Sequence, residues 1–588
     1  MKETSRAYSK IAFLICAILL ACSGSLFYPR WQNGGGEAQL SWDAGGYYWY
    51  LPSVFVYHDL KHQSFKDSVL DNYAPTPGDF QYAFKPKGSN DYVIRYTMGT
   101  AILESPAFFI AHIIAKRMGF PNDGFSKPYQ LMIYLEGILF ALLGLWYLRK
   151  LLLLYYSDKI VAWTLFLLVF GTNYLNYAGI DVGMTHTWLF TLYVFILLNT
   201  HYFYQTFKSK YVLRLGFLIG LIALIRPPEI MAVLIPLLWG LNRISIPIIK
   251  ERFQLFAKHW KTLLAAAFIT VVLLSFQFIY WKIASGHWFV YTYQNQGFSW
   301  RHPHFKIYAL NYQCGWLWYT PMMFFSILGL IIYFIKGQNK VAIIALILLN
   351  YYVVASWNGW DYGGRAMVQS YPVLLFVLAA FVQFVFEANW KKWLFMPMML
   401  LCVYFNLWWT YQAHKGSIIG SVPATGAYYW NTIFRYDVPL DYQKLRDNGD
   451  IYLKPVKNSV LIYNNSTDTG KASTFTISKD LKDTVDIPKP AQNYKYIRAS
   501  ANFNTPHKEW NVWFMTQFIV RIKKGNNVIR ETNIRVQRLL NENEPQIITT
   551  DIKVKTEDYN SIEILFRNDN DGGSTCTVSD LKVFGFNN

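Results

Sequence analysis

Up to Tyr411 this chain is a succession of apolar runs separated by segments that carry nearly all of its charge, and few folds tolerate that pattern. The runs fall at 11–28, 129–148, 160–178, 186–204, 212–225, 228–242, 262–284, 315–335, 341–356, 367–387 and 393–411. A stretch of about 20 apolar residues is what a helix needs to cross a bilayer, and backbone polar groups in lipid must be satisfied within the helix itself. Only 15% of the 588 residues are charged and 53% are hydrophobic, against about 25% charged in an average soluble domain. A wholly soluble, disordered or coiled-coil protein is excluded. The expectation is a polytopic α-helical membrane protein with about 11 transmembrane helices.

The charges between the runs orient it. With 100–115 lying at the outer interface, Lys2/Arg6/Lys10, Arg149/Lys150/Lys159, Lys208/Lys210/Arg214, Arg243/Lys250/Arg252, Lys336/Lys340 and Lys391/Lys392 all fall on one side. If 100–115 crossed, every cluster after the first would move outside. Surplus Lys and Arg mark the cytoplasmic side, so eleven spans are expected, with the N-terminus inside and the C-terminus outside. Glu104, Pro106 and His112 also suit an interfacial helix better than a lipid-facing one. The net charge of +19 then reflects inside loops. No basic run alternates with aromatics on a soluble face, so no nucleic-acid partner is expected.

The N-terminal run, which ends in Leu19-Leu20-Ala21-Cys22, resembles a cleavable lipoprotein-type signal. It is read as an uncleaved first span because its apolar run continues to Tyr28 and many spans follow. Five scattered cysteines without CxxC spacing suggest neither a disulfide framework nor a Cys-ligated zinc site. After Tyr411 the apolar runs stop. Short alternating segments recur at 496–500, 513–520 and 561–566, separated by turn signals such as Lys524-Gly525-Asn526-Asn527 and Asp569-Asn570-Asp571-Gly572-Gly573. The division is therefore a membrane domain over 1–411 and an extracytoplasmic antiparallel β-sandwich over 412–588. In the latter, Trp510, Trp513 and Phe514 are either core residues or a stacking platform for glycan.

Candidate chemistry gathers in the outer loops. Asp43 lies in Ser41-Trp42-Asp43-Ala44-Gly45-Gly46-Tyr47, a carboxylate among interfacial aromatics that either caps a helix or acts on a substrate entering from the bilayer. There it could take a hydroxyl proton or hold a divalent metal. Asp181 and His186 share the next outer loop, as a substrate- or metal-binding pair or as packed residues. Arg226, in Arg226-Pro227-Pro228-Glu229, and Arg365, at the end of Trp357–Arg365, either snorkel or clamp a phosphate, which a guanidinium binds bidentately. Lys85, Lys87 and Arg95 form a weaker basic set in the first loop, which reads most simply as solvated charge.

In their order and sidedness, Asp43, the interfacial helix, Asp181, Arg226-Pro227 and the Trp357–Arg365 loop resemble the GT-C membrane glycosyltransferases, which include protein mannosyltransferases and lipid A aminoarabinose transferases. The resemblance covers about residues 10 to 411. It implies hexosyl or pentosyl transfer, inverting, from a polyprenyl-phosphate sugar to a lipid, glycan or protein acceptor; the odd number of spans and the lack of eukaryotic sorting signals suggest a bacterial inner membrane. Asp43 would be catalytic base or metal ligand, and Arg365 or Arg226 would hold the donor phosphate. Where protein mannosyltransferases carry paired Asp-Glu, Asp43 is followed by Ala44, so the second acid would be Asp181 or Glu104. His186 and Lys85 complete the expected substrate-binding set. No cofactor is certain; a divalent metal is possible. Neither a P-loop nor a dinucleotide-type glycine loop is present. The alternative is a transporter or flippase of a lipid-linked glycan, which repeat symmetry and mid-membrane ionisable groups would mark; no clear repeat is seen, and Glu136 is the main acid inside a span. A membrane-anchored binding protein that uses its sandwich would not need charges gathered on the outer face of the bundle.

Overall fold

The computed structural model describes residues 7–76, 80–294, 296–313, 315–358, 362–416, 424–465, 474–477, 483–507, 515–568 and 575–587. Each apolar run becomes helical over most of its length. Among the described residues, five helical stretches are long and apolar enough to cross a membrane: Ala7–Gln32, Lys127–Leu152, Trp260–Ser285, Gly363–Phe386 and Asn389–Gly416. They make this a membrane protein. Pro227–Leu238, Met323–Lys336 and Lys340–Ser356 are shorter apolar helices. The run at 228–242 is not one helix. It divides into a 3-10 turn at Pro227–Val233 and a five-residue helix at Leu234–Leu238, because two prolines open it and remove backbone donors. The stretch at 100–115 is a helix, Gly99–Met118, which Gly119 ends in the left-handed conformation at φ 74°.

Helix ends are tied by polar groups. Asp158, in the first turn of Asp158–Gly171, accepts the backbone N–H of Tyr8 at 2.9 Å and also holds the Ser9 hydroxyl. It thereby satisfies donors that the start of Ala7–Cys22 leaves open. Arg149 Nε donates to the same Ser9 hydroxyl at 2.8 Å, so three segments are pinned at one end.

The chain divides by its contacts into Met1–Tyr411 and Gln412–Asn588. The first unit has a large apolar core between its helices, including Leu165, Tyr193, Ile222 and Leu374. A second, aromatic core lies beneath the loop that follows the first helix, with Tyr48, Trp49, Tyr82, Phe125 and Tyr129. Trp49 is fully buried and stacks on Phe65 at 5.2 Å; burying such a side chain is worth about 1.5–3 kcal/mol. That loop is folded ground rather than a solvated connection. Its short antiparallel ribbon, Ala83–Phe84 against Val93–Ile94, fixes where the next residue, Arg95, points.

The second unit holds two antiparallel sheets. One orders its strands Asp483–Pro488, Ser561–Arg567, Gln517–Lys524 and Asn527–Arg535; the other runs Val460–Asn464, Cys576–Phe586, Tyr496–Asn504 and Gln546–Lys553, with Thr474–Ile477 also on Cys576–Phe586. Phe518, Ile534, Ile562 and Val485 of the first sheet share one apolar core with Ile497, Phe503, Ile548 and Val578 of the second. The expected turn at 524–527 joins two paired strands, with Gly525 at φ 58°. Trp510, Trp513, Phe514 and the turn at 569–573 lie outside the described residues.

Candidate active site

Three breaks in regular structure aim charged side chains into one cavity of about 500 Å³ in the first unit. The first is the start of the short helix Trp42–Tyr48, which places Asp43 in its opening turn. The second is Arg226. A residue before proline is driven out of the α region, and Arg226 is extended at φ −144°, ψ 112°, between Ser209–Ile225 and the 3-10 turn. The third is the turn Tyr362–Ser370, where Gly363 and Gly364 both take left-handed angles near φ 60°. A Cβ on Gly364 would come within 2.6 Å of the Trp316 side chain, so only glycine lets the chain pass there and turn Arg365 inward.

Asp43 is the centre of the charge. Arg365 Nη2 donates to Oδ2 at 2.6 Å and the Tyr96 hydroxyl donates to Oδ1 at 2.6 Å. A side chain on Gly46 would strike the Tyr96 ring at 2.1 Å, which accounts for the glycine three residues after the acid. Burial alone would raise the Asp43 pKa. Arg365, the Tyr96 hydrogen bond and Arg226 outweigh it and hold the carboxyl below its ordinary 3.8. Burial, and then the charge and hydrogen bond of Asp43, raise the Tyr96 phenol well above its ordinary value. Asp43 is therefore ionised, with both oxygens engaged.

Beside it, Arg226 Nη1 reaches Gln369 Oε1 at 3.4 Å. The same oxygen meets His186 Nδ1 at 2.8 Å, and Gln369 Nε2 donates to Glu229 Oε1 at 2.6 Å. The Tyr193 hydroxyl donates to Glu229 Oε2 at 2.7 Å. Arg95 also lines the cavity, and its buried Nε has no hydrogen-bond partner among the described residues. Aromatic walls come from Tyr47, Trp281, Tyr293, Phe298 and Trp357. The cavity thus offers guanidinium groups for an anion, flat faces for a sugar ring and the ionised carboxylate of Asp43.

Of the residues singled out in the sequence, Asp43, His186, Arg226 and Arg365 line this cavity. Asp181, Lys85 and Glu104 do not. Asp181 forms an ion pair with Arg30 at 3.5 Å. Lys85 sits over the Tyr92 ring at 4.9 Å. Glu104 is fully buried on its helix near Glu136, without a hydrogen bond to either oxygen among the described residues. Arg95, expected in a solvated loop, is a wall residue instead, because the ribbon before it folds the loop back. Part of the Trp357–Arg365 segment, residues 359–361, lies outside the described residues. Glu229, Gln369 and Tyr193 were not singled out; each is a polar residue inside or beside an apolar run, and such residues are rarely silent.

Among the described residues no three His, Cys, Asp or Glu side chains come together to hold a divalent metal, and both Asp43 oxygens are held by Arg365 and Tyr96.

No family model matches the chain, and no curated protein matches it. Among solved structures it is similar to the oligosaccharyltransferase of Archaeoglobus fulgidus in the apo form, with a TM-score of 0.39 and 11% identity. The match covers 70% of this chain and 55% of that one, so the chain spans about half the length of the archaeal protein.

Proposed function

We propose that this chain is an integral-membrane glycosyltransferase. It moves a sugar from a polyprenyl-phosphate donor to an acceptor hydroxyl on the extracytoplasmic side, through a GT-C-type inverting displacement. The observation that carries the reading is the meeting of Arg95, Arg226 and Arg365 with the ionised Asp43 in a single aromatic-walled cavity. Breaking the bond between a sugar and a lipid phosphate develops negative charge on the leaving phosphate, and preorganised guanidinium groups stabilise it there.

Donor phosphate and Asp43 compete for Arg365. Arrival of the phosphate draws the guanidinium away and frees Asp43 Oδ2 to receive a hydrogen bond from the acceptor hydroxyl or from the sugar. Tyr96 keeps the other oxygen fixed meanwhile. The lipid tail remains in the bilayer, and the positive-inside arrangement of the loop charges supports a cavity mouth on the outer side of a bacterial inner membrane. The C-terminal unit, a β-sandwich in this reading, receives or positions the acceptor.

The test is turnover by the full chain in lipid, given a pool of polyprenyl-phosphate sugars, with release of polyprenyl phosphate followed by mass spectrometry. Wild type should release it, and Asp43→Asn should lower the rate by about 10²–10³-fold. If no donor is consumed while a lipid-linked glycan crosses the bilayer, the protein is a flippase and the reading falls.

A further inference from the structure

In the cavity wall, the ring of His186 is held from one side only. The ring is 2% exposed and stands edge-on to Tyr177 with centroids 5.1 Å apart. Gln369 Nε2 donates to Glu229 Oε1 at 2.6 Å. That bond fixes the Gln369 amide and turns Oε1 toward His186 and Arg226. An amide oxygen only accepts, so the proton of the 2.8 Å contact belongs to His186 Nδ1. Tyr193, at 2.7 Å from the other oxygen of Glu229, braces the chain from behind.

The opposite nitrogen, Nε2, is buried and has no hydrogen-bond partner among the described residues. No described carboxylate contacts the ring. The charged groups that face it are Arg226 and Arg365, both cations. A neutral ring with its proton on Nδ1 leaves a lone pair on Nε2 without a described donor, on a residue that lines the same cavity as Asp43.

We propose that His186 Nε2, and not Asp43, accepts the proton of the attacking hydroxyl. The inference rests on the glycosyl-transfer reading above. The acceptor oxygen forms a bond to the anomeric carbon as the bond from that carbon to the phosphate oxygen breaks. The electron pair of the broken bond stays on the phosphate, and the hydroxyl proton passes to Nε2. The products are the glycoside, the polyprenyl phosphate and an imidazolium, which returns its proton to water when the products leave. Asp43 orients the hydroxyl and offsets positive charge at the anomeric carbon. Gln369 and Glu229 are positioning residues that hold the tautomer.

Two measurements on the full chain in lipid nanodiscs test this. The first is ¹⁵N-histidine NMR of the wild type, with His186 identified by loss of its signal in His186→Gln. It should show a neutral ring protonated on Nδ1, and Gln369→Leu should mix the tautomers. The second is polyprenyl phosphate release. His186→Ala should lose about 10²–10⁴-fold in rate. Added imidazole should restore part of it, and rescue by substituted imidazoles should rise with their basicity. Asp43→Asn should not respond to imidazole.

A proton found on Nε2 of the wild-type ring overturns the proposal. So does full activity in His186→Ala and in the size-conserving His186→Gln, or rescue indifferent to basicity, which marks a merely structural ring. If the wild type releases no polyprenyl phosphate from any donor, the glycosyl-transfer reading fails first and takes this step with it. If the wild type turns over and only the imidazole dependence is missing, that reading stands and the proposal alone is lost.

Discussion

Both units of this chain bury charge, but they do so in opposite ways. In the C-terminal unit, Asp551 is 1% exposed and meets Arg498 through two bonds of 2.7 and 2.8 Å, with a third from the backbone of Tyr452 at 2.8 Å. Glu563 is held by Arg521 and Lys523, each at 2.8 Å. In the cavity of the membrane unit, Arg226 makes a long 3.4 Å contact to Gln369 and no other hydrogen bond from its side chain among the described residues. Arg95 Nε and His186 Nε2 have no hydrogen-bond partner among the described residues. A charge pair that closes on itself holds strands together. A set that is left open has capacity for something the chain does not supply.

The widest effect expected from that contrast is in the closed set. Asp551→Ala leaves Arg498 half-buried without its carboxylate, with the Tyr452 carbonyl still accepting from Nη2 at 3.1 Å. Removing one partner of a buried pair costs about 3–5 kcal/mol. Hydrogen exchange should accelerate across Tyr496–Asn504 and Gln546–Lys553, the strands that carry the two partners. Turnover per intact cavity should not change. Arg95→Ala should do the reverse. With no described partner to strand, it should leave stability within about 0.5 kcal/mol and weaken donor binding by about tenfold or more, the worth of a charge-assisted hydrogen bond. A stability loss in Arg95→Ala comparable to that in Asp551→Ala would erase the distinction between open and closed sets.

Acid sharpens the comparison through its sign. Asp43 and Glu563 are both carboxyls whose burial would raise the pKa. For Asp43, Arg365 and Tyr96 reverse the shift; for Glu563, Lys523 and Arg521 do so. A carboxyl depressed in the folded state contributes stability that is fully present above its unfolded value. That stability is lost as pH falls through the folded value. Little should change between pH 7 and about 5. Below the ordinary 4.5 of Glu563 and 3.8 of Asp43, each region should weaken. Glu563→Gln should remove the acid response of Gln517–Lys524 and Ser561–Arg567, read by hydrogen exchange, while donor turnover at pH 7 stays as in the wild type.

Much of the open set could be read from the residues alone, for a physical reason. Apolar runs count the crossings, and crossings decide which loops share a side, so Asp43, His186, Arg226 and Arg365 could be grouped although hundreds of residues separate them. Two signals were readable and passed over: Glu229 directly follows the proline pair after Arg226, and Gln369 stands four residues beyond Arg365. Arg95 was not readable, because the two-residue strands that aim it are too short to show alternation. Sidedness also cannot say which way a side chain turns. Asp181 and Glu104 lie in segments expected near the same face as Asp43, yet one pairs with Arg30 and the other is sealed within its helix packing.

Asp181 gives the smallest expected effect and the finest test. Its partner Arg30 also donates to the carbonyl oxygens of Ala38 at 3.0 Å and Gly36 at 3.3 Å, and to the Ser41 hydroxyl at 2.8 Å. Those contacts bind the segment immediately before Trp42 and Asp43. The Asp181 side chain acts on the cavity through the loop that Arg30 clamps, and the clamp keeps its other bonds when the acid is gone. An ion pair at 3.5 Å with partly exposed partners is worth at most about 1 kcal/mol. Asp181→Asn should slow turnover by less than about tenfold, since each 1.4 kcal/mol is one decade, and should leave donor KM unchanged. A loss as large as that of Asp43→Asn would return Asp181 to the acting groups. It would also mean that a closed ion pair here opens when substrate binds, as in the proposed exchange of Arg365 from Asp43 to the donor phosphate.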